Sequence, residues 1–202
     1  MRNIILASKS FDRKEIFNRI RIHVIDISSE INEEDYKVKI KDPLILVKEL
    51  AKAKAINVKN KIIGKYMDAI IIAADTIIEF KGEIIGKAKD EDHAFKILKK
   101  LVGKTHNLIT GIAIIELSGE KIILDFDKTQ VEFLNLSDNE IKAYVKTQEW
   151  EGKAGAYSLR EKASMFVKSI NGSYSNVLGL PMQKLYQILK NDFRINLLEL
   201  YK

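Results

Sequence analysis

Asp75 follows an apolar run, Ile70-Ile71-Ile72-Ala73-Ala74, and precedes Thr76 and a second apolar pair, Ile77-Ile78. A carboxylate in that setting is either an awkward core residue or a working one. The chain then turns over Lys81-Gly82 and returns through Ile84-Ile85 to Lys87. Other residues able to do chemistry are dispersed. Ser8, Ser10 and Arg13 lie at a strand-to-helix junction, Glu33, Glu34 and Asp35 in an acidic segment, and Lys54 on a helix. Carboxylates recruit Mg²⁺, which prefers oxygen ligands and phosphates. Lysine and arginine neutralise phosphate oxygens. Together these residue types suit phosphoryl chemistry, where catalysis is mostly positioning and charge stabilisation.

The elements that must hold these groups follow from patterning. Residues 3–7 read as a buried strand running into Ser8-Lys9-Ser10, and Ser10 caps a helix over 11–20. Such a helix N-terminus can hold phosphate through its backbone N–H groups. Residues 23–27 read as a second strand and 28–41 as a polar loop. Asp42-Pro43 starts a helix over about 44–58, with Leu46, Val47, Leu50, Ala53 and Asn57 on one face. Residues 69–73 form the central strand, with Asp75 at its end. Asp90 caps a helix over about 91–101, stopped near Gly103. Residues 105–117 and 121–134 read as an antiparallel pair, and Ser137–Glu140 is a capping box for a helix to about 146. Residues 163–170 read as a strand, Pro181 opens a helix to about 189, and periodicity does not decide between strand and helix for 195–200. Early alternation of strands and helices followed by antiparallel strands gives an α/β fold with a mixed sheet.

Composition excludes several classes. The chain has 202 residues, 46% hydrophobic and 31% charged, which fits a folded domain rather than a disordered chain. It has no cysteine, so disulfides, thiolate metal sites and cysteine nucleophiles are ruled out. Three histidines at wide separations make no zinc site, no serine has an evident base nearby in sequence, and no P-loop or GxGxxG pattern occurs. No hydrophobic run is long enough for a signal peptide or membrane span, so a soluble cytoplasmic protein is expected. The net charge of +6 favours an anionic partner. The lysines are dispersed, and a specific nucleic-acid partner is not expected.

Six stretches, in order, resemble the motifs of the Maf family of nucleotide pyrophosphatases. They are ILASKSFDRKEIF at 5–17, LAKAKA at 50–55, ADTIIEFKGEIIGKAKD at 74–90, GKTHNLITGIAI at 103–114, KAGAYSL at 153–159 and INGSYSNVLGLP at 170–181. The resemblance implies an elongated mixed sheet flanked by helices, a single domain of two lobes sharing that sheet around a nucleotide-binding cleft, related to the inosine triphosphate pyrophosphatase fold. It implies hydrolysis of a nucleoside triphosphate to the monophosphate and pyrophosphate with Mg²⁺ or Mn²⁺. It also implies a homodimer, a link to arrest of cell division, and a role in removing non-standard nucleotides.

Carried over position by position, the resemblance makes Asp75 the catalytic carboxylate and a metal ligand with Glu33. Ser8, Arg13, Lys54 and Lys87 become triphosphate contacts. Three positions tied to base choice map to Asp12, Thr76 and Arg160. Members acting on dTTP and UTP usually carry Arg, Thr and Gln there, so this chain keeps only Thr76. Phe11 and Ala88 also replace motif prolines. Two other classes stand beside the enzyme: a nucleotide-binding regulator of division with little turnover, and a nucleic-acid-binding module motivated only by net charge.

Overall fold

The first strand, β1 (Asn3–Leu6), pairs in parallel with both β2 (Ile25–Asp26) and β3 (Ala69–Phe80) in the computed structural model, which describes residues 2–200. These strands belong to a seven-stranded sheet. Its order is β2-β1-β3-β5-β6-β7, with β5 (Thr105–Glu116), β6 (Ile122–Phe133) and β7 (Val167–Asn171); β4 (Glu83–Ile85) pairs with β3. The β3–β4 and β6–β7 pairings are antiparallel, so the sheet is mixed. Helices α1 (Phe11–Arg19), α2 (Glu33–Lys39), α3 (Pro43–Ile62), α4 (Glu91–Leu101), α5 (Asp138–Val145), α6 (Tyr174–Val177) and α7 (Met182–Asp192) complete the chain, an α/β fold as expected.

The chain forms two compact units. The first comprises residues up to Asp75, Thr110–Asp127 and the segment from Gly179 onward; the second comprises Thr76–Ile109 and Lys128–Leu178.

In the first unit, strand periodicity decides which side chains face α3. Ile5, Ala7, Ala69, Ile71, Ala73, Ala113 and Ile115 are alternate residues of their strands, and all pack in one core with Ala51, Ala55, Val58 and Ile62 of α3. The helix comes close to the strands. A Cβ at Gly111 would lie 2.3 Å from the Val47 carbonyl oxygen, so only glycine fits beneath this turn of α3. The buried stripe of α3 is Leu46, Val47, Leu50, Ala51, Lys54, Ala55, Val58 and Ile62. It is rotated from the face read off the sequence, and Ala53 and Asn57 lie to its side.

The helix α3 is also longer than expected, and three further readings are corrected. The segment 28–41 is not all loop. It contains α2, which buries no residue and is held by its Asn32 cap, an acidic first turn and a basic last turn. A helix stabilised at its ends has no apolar stripe to announce it. Next, β3 does not stop at Ala73. It continues for 12 residues, because Ile77, Ile78 and Phe80 carry the buried pattern onward, and Asp75 lies in mid-strand. Finally, Lys162–Met165 is a 3-10 turn, so the strand read over 163–170 begins only at Val167. The open reading of 195–200 is decided for a helical turn, Leu197–Glu199.

The second unit is built as predicted in most elements. Lys81 and Gly82, both at positive φ, form the two-residue turn of the β3–β4 hairpin. Asp90 accepts from the His93 N–H at the start of α4, and Ser137 and Glu140 form the expected capping box of α5. Its core joins Ile78, Phe80, Leu98, Leu101, Phe133, Tyr144, Trp150 and Phe166. Strands β5 and β6 are neighbours joined by five residues, and the Glu116 N–H reaches the Lys121 carbonyl. So short a link joins only antiparallel strands.

Candidate active site

Two periodicities meet at Asp75. Along β3, Ala69, Ile71 and Ala73 point at α3, and Asp75 is the next residue of that stripe. Along α3, Val47, Leu50, Ala51 and Lys54 follow one another at helical spacing on the inner face. The outcome is a lysine opposite an aspartate. Lys54 Nζ donates to Asp75 Oδ1 at 2.5 Å, with both residues buried. The same ammonium lies 2.7 Å from Glu33 Oε1, in the first turn of α2. Glu33 is the more exposed carboxylate, at 28% against 9% for the Asp75 side chain.

Arg13 is positioned from α1. The Ser10 hydroxyl caps that helix by accepting from the Arg13 N–H, and Ser8 Oγ accepts from the Ser10 N–H. The guanidinium then donates from Nε to the Gly179 carbonyl at 2.6 Å and from Nη1 to the Ala74 carbonyl at 2.9 Å, with Ser8 Oγ at 3.4 Å. The planar fork is therefore fixed onto the backbone immediately before Asp75. Burial lowers the Arg13 pKa below its ordinary value, while Asp75, Glu33 and Asp12 act in the opposite direction. These carboxylates mark the electrostatic surroundings of the guanidinium.

Of the sequence-predicted residues, Ser8, Arg13, Glu33, Lys54 and Asp75 are thus brought together in the first unit, with Asp12 in the field of Arg13. Lys87 lies in the second unit, exposed, and forms an antiparallel β-bridge with Ala154. The Gly155 N–H also donates to the Gly86 carbonyl at 3.1 Å. This ties the GK pair to the segment that leads to Arg160. Thr76 and Arg160 are part-buried in the same unit.

The sequence offered less warning of the anchors. The carbonyls of Ala74 and Gly179 carry no side-chain signature. Helix α2 did have one: Asn32 followed by Glu33, Glu34 and Asp35 is an N-cap pattern. In the second unit, Asn176 donates to Thr129 Oγ1 at 2.9 Å and to the Leu108 carbonyl, and the Ser173 N–H also reaches Thr129 Oγ1. The 170–181 motif therefore has a structural purpose. His106 is buried, shares a 3.0 Å hydrogen bond with Tyr157, and has its pKa lowered to about 4 by burial, so its imidazole is neutral near pH 7.

The donor set fits a hard cation. Glu33 and Asp75 converge on one point, and a positive charge stands there already. Among the described residues no cluster of three or more acids or histidines is assembled for a metal ion. Mg²⁺ commonly takes one or two carboxylates and completes its shell with phosphate and water. Among the described residues no helix is long and apolar enough to cross a membrane.

The chain is similar to known proteins over nearly its whole length. The family model described as Maf-like protein matches residues 3–192. A protein of Alkaliphilus oremlandii named dTTP/UTP pyrophosphatase is 47% identical over 198 residues, covering 98% of this chain and all of that protein. Proteins of the same name from Clostridium tetani and Pyrococcus furiosus are 42% and 43% identical, covering 96% and 94% of this chain and 100% and 95% of theirs. With the family model spanning nearly the whole chain and these relatives matched almost end to end, the chain belongs to the Maf-like protein family.

Proposed function

We propose that this chain hydrolyses a nucleoside triphosphate to the monophosphate and pyrophosphate. The observation that carries the reading is the placement of Asp75, buried in mid-strand with Lys54 on one oxygen and the Arg13 fork on the carbonyl of the preceding residue. The relatives' shared name supports turnover over a role as a nucleotide-binding regulator.

In the proposed reaction a water oxygen attacks the α-phosphorus. Lys54 holds Oδ1 of Asp75 in the nucleotide-free protein; with substrate bound, the Asp75 carboxylate orients the water and takes its proton. The bond to the bridging oxygen breaks and its electron pair leaves on pyrophosphate. Arg13, held by carbonyls, Lys54 and Lys87 offer positive charge to phosphate oxygens. Ser8 and the N–H groups opening α1 offer donors. A divalent cation, Mg²⁺ or Mn²⁺, would be held by Asp75 and Glu33 and would supply charge neutralisation at the phosphates.

Base choice is assigned to Asp12, Thr76 and Arg160. Asp12 and Arg160 stand where dTTP- and UTP-acting members usually carry Arg and Gln, so the substrate of this chain is proposed as a nucleoside triphosphate, with non-standard bases included. A cytoplasmic homodimer completes the proposal.

The test is pyrophosphate release from a panel of standard and modified triphosphates with Mg²⁺ or Mn²⁺. Release from at least one, abolished by Asp75→Asn, is expected. No release from any member of the panel would overturn the assignment.

A further inference from the structure

Resting on that reading of the site, we propose that Lys54 is a built-in counter-ion that occupies the cation position between Asp75 and Glu33 until metal and nucleotide arrive together, and then transfers its ammonium to the phosphates.

Space is the first constraint. Lys54 Nζ stands 2.5 Å from Asp75 Oδ1 and 2.7 Å from Glu33 Oε1. A cation shared by those two oxygens must occupy the volume the ammonium now fills, because Mg²⁺–oxygen distances are about 2.1 Å. Two cations cannot stand together there: like charges at such range repel strongly where water is scarce, and the Lys54 side chain is only 11% exposed. Metal and ammonium are therefore alternatives.

Charge gives the order of events. Asp75 and Glu33 contribute two negative charges, and Lys54 with Arg13 contributes two positive ones. These four charges balance, with Asp12 a further negative charge beside Arg13, and a divalent cation arriving alone finds Asp75 and Glu33 already paired with Lys54. A triphosphate brings several negative charges and a new set of acceptors. The ammonium sits on a flexible four-carbon stem with three rotatable donors, so it can leave one anion for another. The Arg13 fork is held by the Gly179 and Ala74 carbonyls and stays in place. Lys54 is thus an ion-pair partner in the nucleotide-free protein and a phosphate contact in the loaded one. By linkage, nucleotide must tighten metal binding by the same factor as metal tightens nucleotide.

Mn²⁺ titration followed by electron paramagnetic resonance of the unbound ion tests this without reference to turnover. Wild type is expected to bind Mn²⁺ weakly alone and at least about ten-fold more tightly with the α,β-methylene analogue of the triphosphate it hydrolyses best, after subtraction of the Mn²⁺ bound by the analogue alone, a shift of about 1.4 kcal/mol. Lys54→Met is expected to bind Mn²⁺ alone at least about ten-fold more tightly than wild type. Lys54→Arg, which keeps the charge, should remain near the wild-type value, and adding Glu33→Gln to Lys54→Met should remove the gain. Folded Lys54→Met with unchanged or weaker Mn²⁺ affinity overturns the proposal. Should that variant not fold, Lys54→Gln takes its place, and wild-type Mn²⁺ affinity indifferent to the analogue overturns the proposal independently. Pyrophosphate release by wild type separates the two readings. Normal release beside an unchanged Mn²⁺ affinity in Lys54→Met sinks only the counter-ion role, whereas no release from any triphosphate sinks the catalytic assignment beneath it.

Discussion

Lys54 and Asp75 form a buried ion pair, 2.5 Å from Nζ to Oδ1, with side chains 11% and 9% exposed. The pair joins the inner face of α3 to the middle of β3, so the same contact that closes the core fixes the proposed base. Removing one partner of such a pair leaves an uncompensated charge. Its variants must therefore be read for folding as well as for rate.

Asp75→Asn keeps the shape and loses the proton acceptor. Pyrophosphate release should fall by about 10²- to 10⁴-fold, the usual contribution of a general base. Circular dichroism and nucleotide-analogue binding should show a folded protein that still takes its ligand. A rate within a few-fold of wild type would remove Asp75 from the chemistry.

Arg13→Lys tests whether the fork matters or only the charge. A lysine cannot donate to the Gly179 and Ala74 carbonyls in the planar arrangement that Arg13 uses. The expected outcome is a loss of about 1–3 kcal/mol in urea unfolding, with kcat/KM reduced by more than about ten-fold. Wild-type stability and kinetics in this variant would mean that charge alone suffices.

Asp12→Arg combined with Arg160→Gln restores the residue types that dTTP- and UTP-acting members carry. The ratio of kcat/KM for dTTP and UTP to that for the purine triphosphates should rise by about ten-fold or more, a difference of about 1.4 kcal/mol. An unchanged ratio would take base choice away from these two positions.

Gly111→Ala probes the seat of α3. The added methyl would meet the Val47 carbonyl oxygen at 2.3 Å, and backbone cannot give way as a side-chain tip can. A cost of about 1–3 kcal/mol is expected from overpacking. Activity should fall too, because the same helix carries Lys54. A thermal melt equal to wild type would contradict the tight seat.

His106 gives a pH dependence with a definite sign. Its folded pKa is depressed from 6.5 to about 4 by burial, so between those values the unfolded chain binds more protons than the folded one. Stability is full above about pH 6.5 and is lost as pH falls towards 4, by about 3 kcal/mol in all. Urea unfolding followed by Trp150, the single tryptophan and a core residue of the same unit, reads this directly. His106→Gln should flatten that part of the profile. An unchanged profile would assign the acid loss to other groups.

The sequence by itself determined most of the elements and the identity of the candidate residues. Caps and turns are local, so Ser10, Asp42, Asp90, the Ser137–Glu140 box and the Lys81-Gly82 hairpin were legible from neighbouring residues alone. Motif order likewise pointed to Ser8, Arg13, Lys54 and Asp75. What only tertiary structure decided is who meets whom. Apolar periodicity set the face of α3 one step off, because alanines are weak markers and a lysine was part of the buried stripe. Helix α2 escaped notice because it buries nothing, yet it brings Glu33 to Lys54. The carbonyls that hold Arg13 come from residues 61 and 166 positions away, and a backbone acceptor is the same at every residue. Short-range rules fix the parts of this protein. The counter-ion between Asp75 and Glu33 exists only once the sheet's two-residue period and the helix's 3.6-residue period are brought face to face.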